Sequence, residues 1–171
     1  MSGVAETFDH TGAPVKHGRA RVNGIRLHYI TAGQGPALLL LHGTPKNSFY
    51  WYRIVPLLTS KFTVVAPDLR GFGYTDAPPT TDGYSCKEQA SDVAELMTQL
   101  GHDKFYLHGE DRGAEYAYAV AAYYRERVIK LSFCEMLLSG LGLEESNLWS
   151  KDNVTAQVRM DGVWCWVSDG L

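Results

Sequence analysis

The chain has 171 residues, 45% of them hydrophobic, enough for one domain with a buried core and little reason to look for a second. Its 16 Lys and Arg are interspersed with 19 Asp and Glu for a formal charge of −3, which excludes both a basic field for nucleic acid and a polybasic patch for anionic lipid. Cys86, Cys134 and Cys165 are odd in number and lack paired or metal-like spacing, so a disulfide framework and a zinc site are not expected and a reducing compartment is.

The N-terminal MSGVAETFDHTGAPVKHGR is polar, without the apolar stretch of a signal peptide, and the longest apolar run, Ala37 to Leu41, is far too short to span a bilayer. A cytoplasmic protein without nucleic-acid or membrane partners is the expectation. RARVNGIRLHYITAG then alternates apolar and polar residues around Asn23-Gly24, a strong hairpin signal. PALLLLHG is a continuous apolar run ending in glycine, as in a strand buried on both faces. Helical spacing follows in SFYWYRIVPLLTS, and FTVVAPD is a second buried strand.

Between Ser85 and Leu100, apolar positions recur at three and four residues, with Gly101 as a C-terminal stop. Lys104 to His108 reads as a strand, Gly113 to Arg127 as a helix, and Ile129 to Met136 as a further strand. A hairpin followed by alternating strands and helices implies an α/β fold with a mostly parallel sheet and helices on both faces. After Leu138 no further buried strand followed by a helix is expected, and no internal repeat or low-complexity tract is present.

Reactive groups in such sheets collect at the carboxyl ends of strands. Gly109-Glu110-Asp111-Arg112-Gly113 occupies one such end, and its Gly-x-Asp-x-Gly spacing suits a sharp strand-to-helix turn that lifts the middle residue above the sheet. The partial positive charge opening the following helix favours an ionised Asp111, a candidate nucleophile; the alternative is an N-cap aspartate in an ordinary turn. His42-Gly43-Thr44-Pro45 ends the leucine-rich strand, where a bent backbone can aim the Thr44 N–H at developing negative charge, with the Arg112 N–H as the second donor. His42 is expected to brace this loop by hydrogen bonds rather than to serve as a base.

HGTP, PDLRGFGYTDAP and GEDRG, in this order and spacing, make residues 20 to 140 resemble the α/β-hydrolases, and among them the epoxide hydrolase and haloalkane or haloacid dehalogenase group. The resemblance implies a cofactor-independent, metal-free hydrolase of small organic molecules that forms an alkyl-enzyme ester on Asp111. Epoxide opening is the first expectation and haloacid or haloalkane dehalogenation the second. It further implies oxyanion donors at Thr44 and Arg112, a candidate triad acid at Glu135, and substrate contacts from His42, Gly43, Pro45, Arg112 and Trp149. The haloacetate enzymes similar to this chain bind the substrate carboxylate with an arginine after the nucleophile and another three residues on, where this chain has Glu115. Glu110 stands where a histidine is often found, and would raise the Asp111 pKa if both carboxyls faced the pocket.

The group takes its catalytic histidine from a loop after the last strand, whereas His10, His17, His28, His42, His102 and His108 all precede Asp111. The resemblance therefore implies residues 1–138 as the N-terminal part of the core and 139–171 as the start of a cap, lacking the C-terminal strands and most of the cap. Trp149, Trp164 and Trp166 are candidates to line the pocket or to fill core. Read-through of an intron would produce such an end, since Val167-Ser168 is what a donor of sequence GTAAGT encodes. A catalytically impaired remnant, and self-association through an exposed sheet edge, are the corresponding expectations.

Overall fold

The computed structural model describes residues 6–79 and 83–136, together with the backbone of residues 165–168. A seven-stranded sheet runs in the order β1-β2-β4-β3-β5-β6-β7. It is built from β1 (Lys16–Val22), β2 (Ile25–Ala32), β3 (Ala37–Leu41), β4 (Thr63–Pro67), β5 (Phe105–Glu110), β6 (Val128–Cys134) and β7 (Cys165–Ser168). Asn23 and Gly24, at φ 44° and 82°, make the two-residue turn that pairs Val22 with Ile25. β2 joins β4 antiparallel, after which β4, β3, β5 and β6 are parallel.

The strand ALLLL is continuous in sequence because both sheet faces are covered. Leu39 and Leu41 enter the core formed with helices α2 (Cys86–Gln99) and α3 (Arg112–Tyr123). Leu38 and Leu40 face the opposite core, with Trp51 and Val55. From β3 the chain steps first to β4 on one side and later to β5 on the other. The carboxyl ends of β3 and β5 thus flank the point where strand order reverses, the usual ligand crevice of an open parallel sheet.

α2 begins at a capping box, in which Ser85 and Glu88 bond each other's backbone N–H. Two helical expectations are corrected. SFYWYRIVPLLTS forms a 3₁₀ segment over Ser48–Arg53 and then the single turn α1 (Val55–Leu58), because Pro56 lacks the N–H that a continuous helix would bond to Tyr52. α3 ends at Tyr123, short of Arg127, which sits in a 3₁₀ turn. The Arg127 guanidinium instead bonds the carbonyls of Ala94, His102 and Asp103, tying this turn to the end of α2.

β7 is an element that the sequence pattern did not show. It pairs antiparallel with β6, from Leu131 opposite Ser168 to Cys134 opposite Cys165, so that over this stretch β6 is not an open edge. No helix among the described residues is long and apolar enough to cross a membrane.

The PDLRGFG segment holds the loop after β4 through Asp68, which is 1% exposed. Its carboxylate accepts the N–H groups of Ser48 (2.7 Å) and Tyr74 (2.8 Å) and pairs with His28 Nδ1 (2.8 Å). Burial pushes this carboxyl up, but the bonds from His28, Ser48 and Tyr74 outweigh it and lower the pKa to about 2. A lowered carboxyl contributes stability above its ordinary pKa, which is lost as pH falls from about 4 through about 2. Asp68→Asn is expected to lose about 2–3 kcal/mol near neutrality and to flatten the acid limb of stability, as read by urea unfolding across pH.

Candidate active site

β5 delivers the chain to Asp111 in a conformation that few L-residues adopt, φ 55° and ψ −130°. Such backbone strain persists only where its surroundings enforce it. The Asp111 N–H is spent on Cys134 O of β6 (3.1 Å), and the Asp111 carbonyl accepts from Ala114 N–H (2.8 Å) at the start of α3. The flanking glycines are required by close approach: a Cβ on Gly109 would lie 2.2 Å from Gly113 O, and one on Gly113 would lie 2.2 Å from Leu41 O. Helix, elbow and β3 therefore meet backbone to backbone.

Across this contact stands the HGTP turn. The N–H groups of Thr44 (3.0 Å) and Arg112 both donate to Asp111 Oδ1. The sequence suggested these two donors, aimed at negative charge developing beside Asp111; in the structure both meet the Asp111 carboxylate itself. Both N–H groups therefore converge on one oxygen, Oδ1. Burial raises the Asp111 pKa, but the two N–H bonds and the nearby Lys46 and Arg112 charges outweigh it, leaving the carboxyl lowered and ionised at neutral pH. Glu110 was expected to raise it if both carboxyls faced the pocket; that condition is not met, since Glu110 is 3% exposed with Lys46 Nζ 2.5 and 2.6 Å from its carboxylate oxygens.

Asp111, Thr44 and Arg112 open on a cavity of about 620 Å³ whose walls include Phe72, Tyr116 and Met136. The volume suits a small organic molecule. His42 is placed elsewhere: it is fully buried, with Nδ1 at 2.8 Å from Gly43 O and Nε2 accepting from Leu69 N–H at 3.0 Å. These partners require a neutral ring protonated at Nδ1, and burial lowers its pKa accordingly. His42 braces the turn and does not line the cavity, contrary to the substrate contact expected of it. Gly43 and Pro45 shape the turn around Thr44 but do not line the cavity either.

Glu135 directly follows β6 as an exposed residue at φ 59°. Hydrogen bonding with Glu110, together with burial and the Glu110 charge, raises its pKa. The histidine that a triad acid would orient is not beside it: His10 bonds Thr59, His17 and His28 bond each other, and His108 bonds Ser132. The Arg112 guanidinium pairs with Glu115 at 3.2 Å, so its charge is already partly answered. Trp149 and Trp164 lie outside the described residues, as does the side chain of Trp166. No group of three or more His, Cys, Asp or Glu among the described residues is arranged to hold a metal ion. Lys46 is the residue that sequence reasoning missed, because nothing local marks its partner 64 positions away.

Residues 36–164 match the family described as the alpha/beta hydrolase fold. The chain belongs to this family. It is 42% identical over 123 residues to a soluble epoxide hydrolase of Corynebacterium sp. (strain C12), a match covering 72% of this chain and 42% of that protein. It is 39% identical over 127 residues to a fluoroacetate dehalogenase of Burkholderia sp., with the same two coverages. The crystal structure of an epoxide hydrolase from Vigna radiata superposes with a TM-score of 0.67 at 32% identity, covering 68% of this chain and 38% of that one. This α/β-hydrolase thus spans about two fifths of the length of these two curated relatives.

Proposed function

We propose that this α/β-hydrolase carries the nucleophilic half of an epoxide hydrolase site. Asp111 Oδ2 attacks a ring carbon, the C–O bond breaks toward the ring oxygen, the resulting alkoxide takes a proton from solvent water, and an ester joins substrate to Asp111. Hydrolysis would follow by attack of water on Asp111 Cγ. Negative charge then develops on Oδ1, where the Thr44 and Arg112 N–H groups already point. Collapse expels the diol and restores the carboxylate. The observation that carries this reading is the strained Asp111 with both N–H donors on one of its oxygens.

Attack by water needs a base. None of the histidine hydrogen bonds among the described residues reaches Asp111 or Glu135, so the ester is expected to outlast its formation. Taken alone, these 171 residues are therefore expected to alkylate without turning over.

Displacement of halide from a haloacid is the second reading, favoured by Arg112 beside Asp111 in the cavity and by the dehalogenase relative. Against it, Glu115 engages the guanidinium that would hold the substrate carboxylate. Parallel incubations with styrene oxide and chloroacetate separate the two. The epoxide reading predicts an adduct of the full epoxide mass and little chloride release; chloride release exceeding epoxide adduct by tenfold would reverse the order.

A further inference from the structure

The Gly43–Lys46 turn carries the Thr44 donor, and its two ends are anchored differently. At the first end, Gly43 O accepts from both Lys46 N–H (3.0 Å) and His42 Nδ1 (2.8 Å), while His42 Nε2 holds Leu69. At the other end, Lys46 Nζ reaches both carboxylate oxygens of Glu110, the residue immediately before Asp111. Glu110 is 3% exposed, and the ammonium also lies 4.1 Å from the centre of the Tyr50 ring. A buried carboxylate with a two-point partner has a strong preference for one geometry.

We propose that Lys46 is a positioning residue: its bond to Glu110 clamps the Gly43–Lys46 turn against the elbow and so aims the Thr44 N–H at Asp111 Oδ1. The Arg112 N–H needs no such clamp, because the elbow backbone and the first turn of α3 fix it. The two donors to one oxygen are thus held by independent means, and only one depends on a side chain remote in sequence. The role rests on the proposed chemistry for its purpose, but not for its test.

Amide hydrogen exchange of the two donors provides that test. Removing Lys46 alone strands a buried carboxylate, so Lys46→Met/Glu110→Met is the cleaner variant, as apolar replacement of a buried pair often preserves the fold. Thr44 exchange is expected to accelerate at least tenfold in this variant with Arg112 exchange within twofold of wild type. Lys46→Arg, which retains a two-point donor, is expected to restore the wild-type ratio. The clamp is overturned if both amides accelerate together, as general loosening would require, or if neither changes. Where an adduct forms, its hydrolysis is expected to slow at least tenfold alongside the loss of Thr44 protection, because charge develops on Oδ1 in that step. If wild type gives no adduct, the proposed chemistry fails while the exchange ratio still decides the clamp.

Discussion

Asp111→Asn is expected to reduce alkylation by an epoxide at least about 10³-fold while leaving the fold intact. The amide is close in size to the carboxylate, so the substitution adds no backbone strain that aspartate does not already carry at φ 55° and ψ −130°. It keeps an oxygen to accept the Thr44 and Arg112 N–H groups, so the loss in stability should be about 1 kcal/mol. What it lacks is the anionic oxygen that must form the bond to carbon. Burst amplitude and rate with styrene oxide, measured beside a urea unfolding curve, separate chemistry from folding. An unchanged burst would remove Asp111 from the mechanism.

Gly113→Ala is expected to be among the most damaging single methyl additions in the described residues. The added carbon meets Leu41 O at 2.2 Å and His42 O at 2.7 Å, both backbone atoms that cannot rotate aside. Helix α3 must retreat from β3, carrying the Arg112 donor with it. A loss of about 3 kcal/mol follows for such overpacking, roughly 6–12 °C in Tm for a chain of this size. Gly101→Ala is the control, at φ 78° with nothing within 4 Å of the added carbon, and should lose only about 1 kcal/mol from backbone strain. Equal losses at the two positions would contradict the close approach of α3 to β3.

The elbow was legible in the sequence because its constraints are local. Gly109 and Gly113 bracket Asp111 at the spacing the backbone contact demands, and an apolar strand precedes them. The hairpin and β3 were legible for the same reason, their patterns being confined to a few residues. The end of α3 was not, because it is decided by Arg127 bonding carbonyls 24 to 33 positions away. Nor was β7, whose four residues are too short for a period to show. Glu110 was read as an isolated charge near the nucleophile, since pairwise contacts between distant residues leave no periodic trace. Its lysine, four positions after His42, looks like any polar loop residue until the fold brings it to the elbow.

The most direct test is mass spectrometry of the tryptic peptide FYLHGEDR, residues 105–112, after incubation with styrene oxide. Ring opening retains every atom of the epoxide, so the ester reading predicts an increment equal to the whole epoxide mass. Fragmentation should place it on Asp111, and Asp111→Asn should lack it. An increment on Glu110, or a peptide left unmodified while the protein folds normally, would contradict the assignment of Asp111 as the nucleophile.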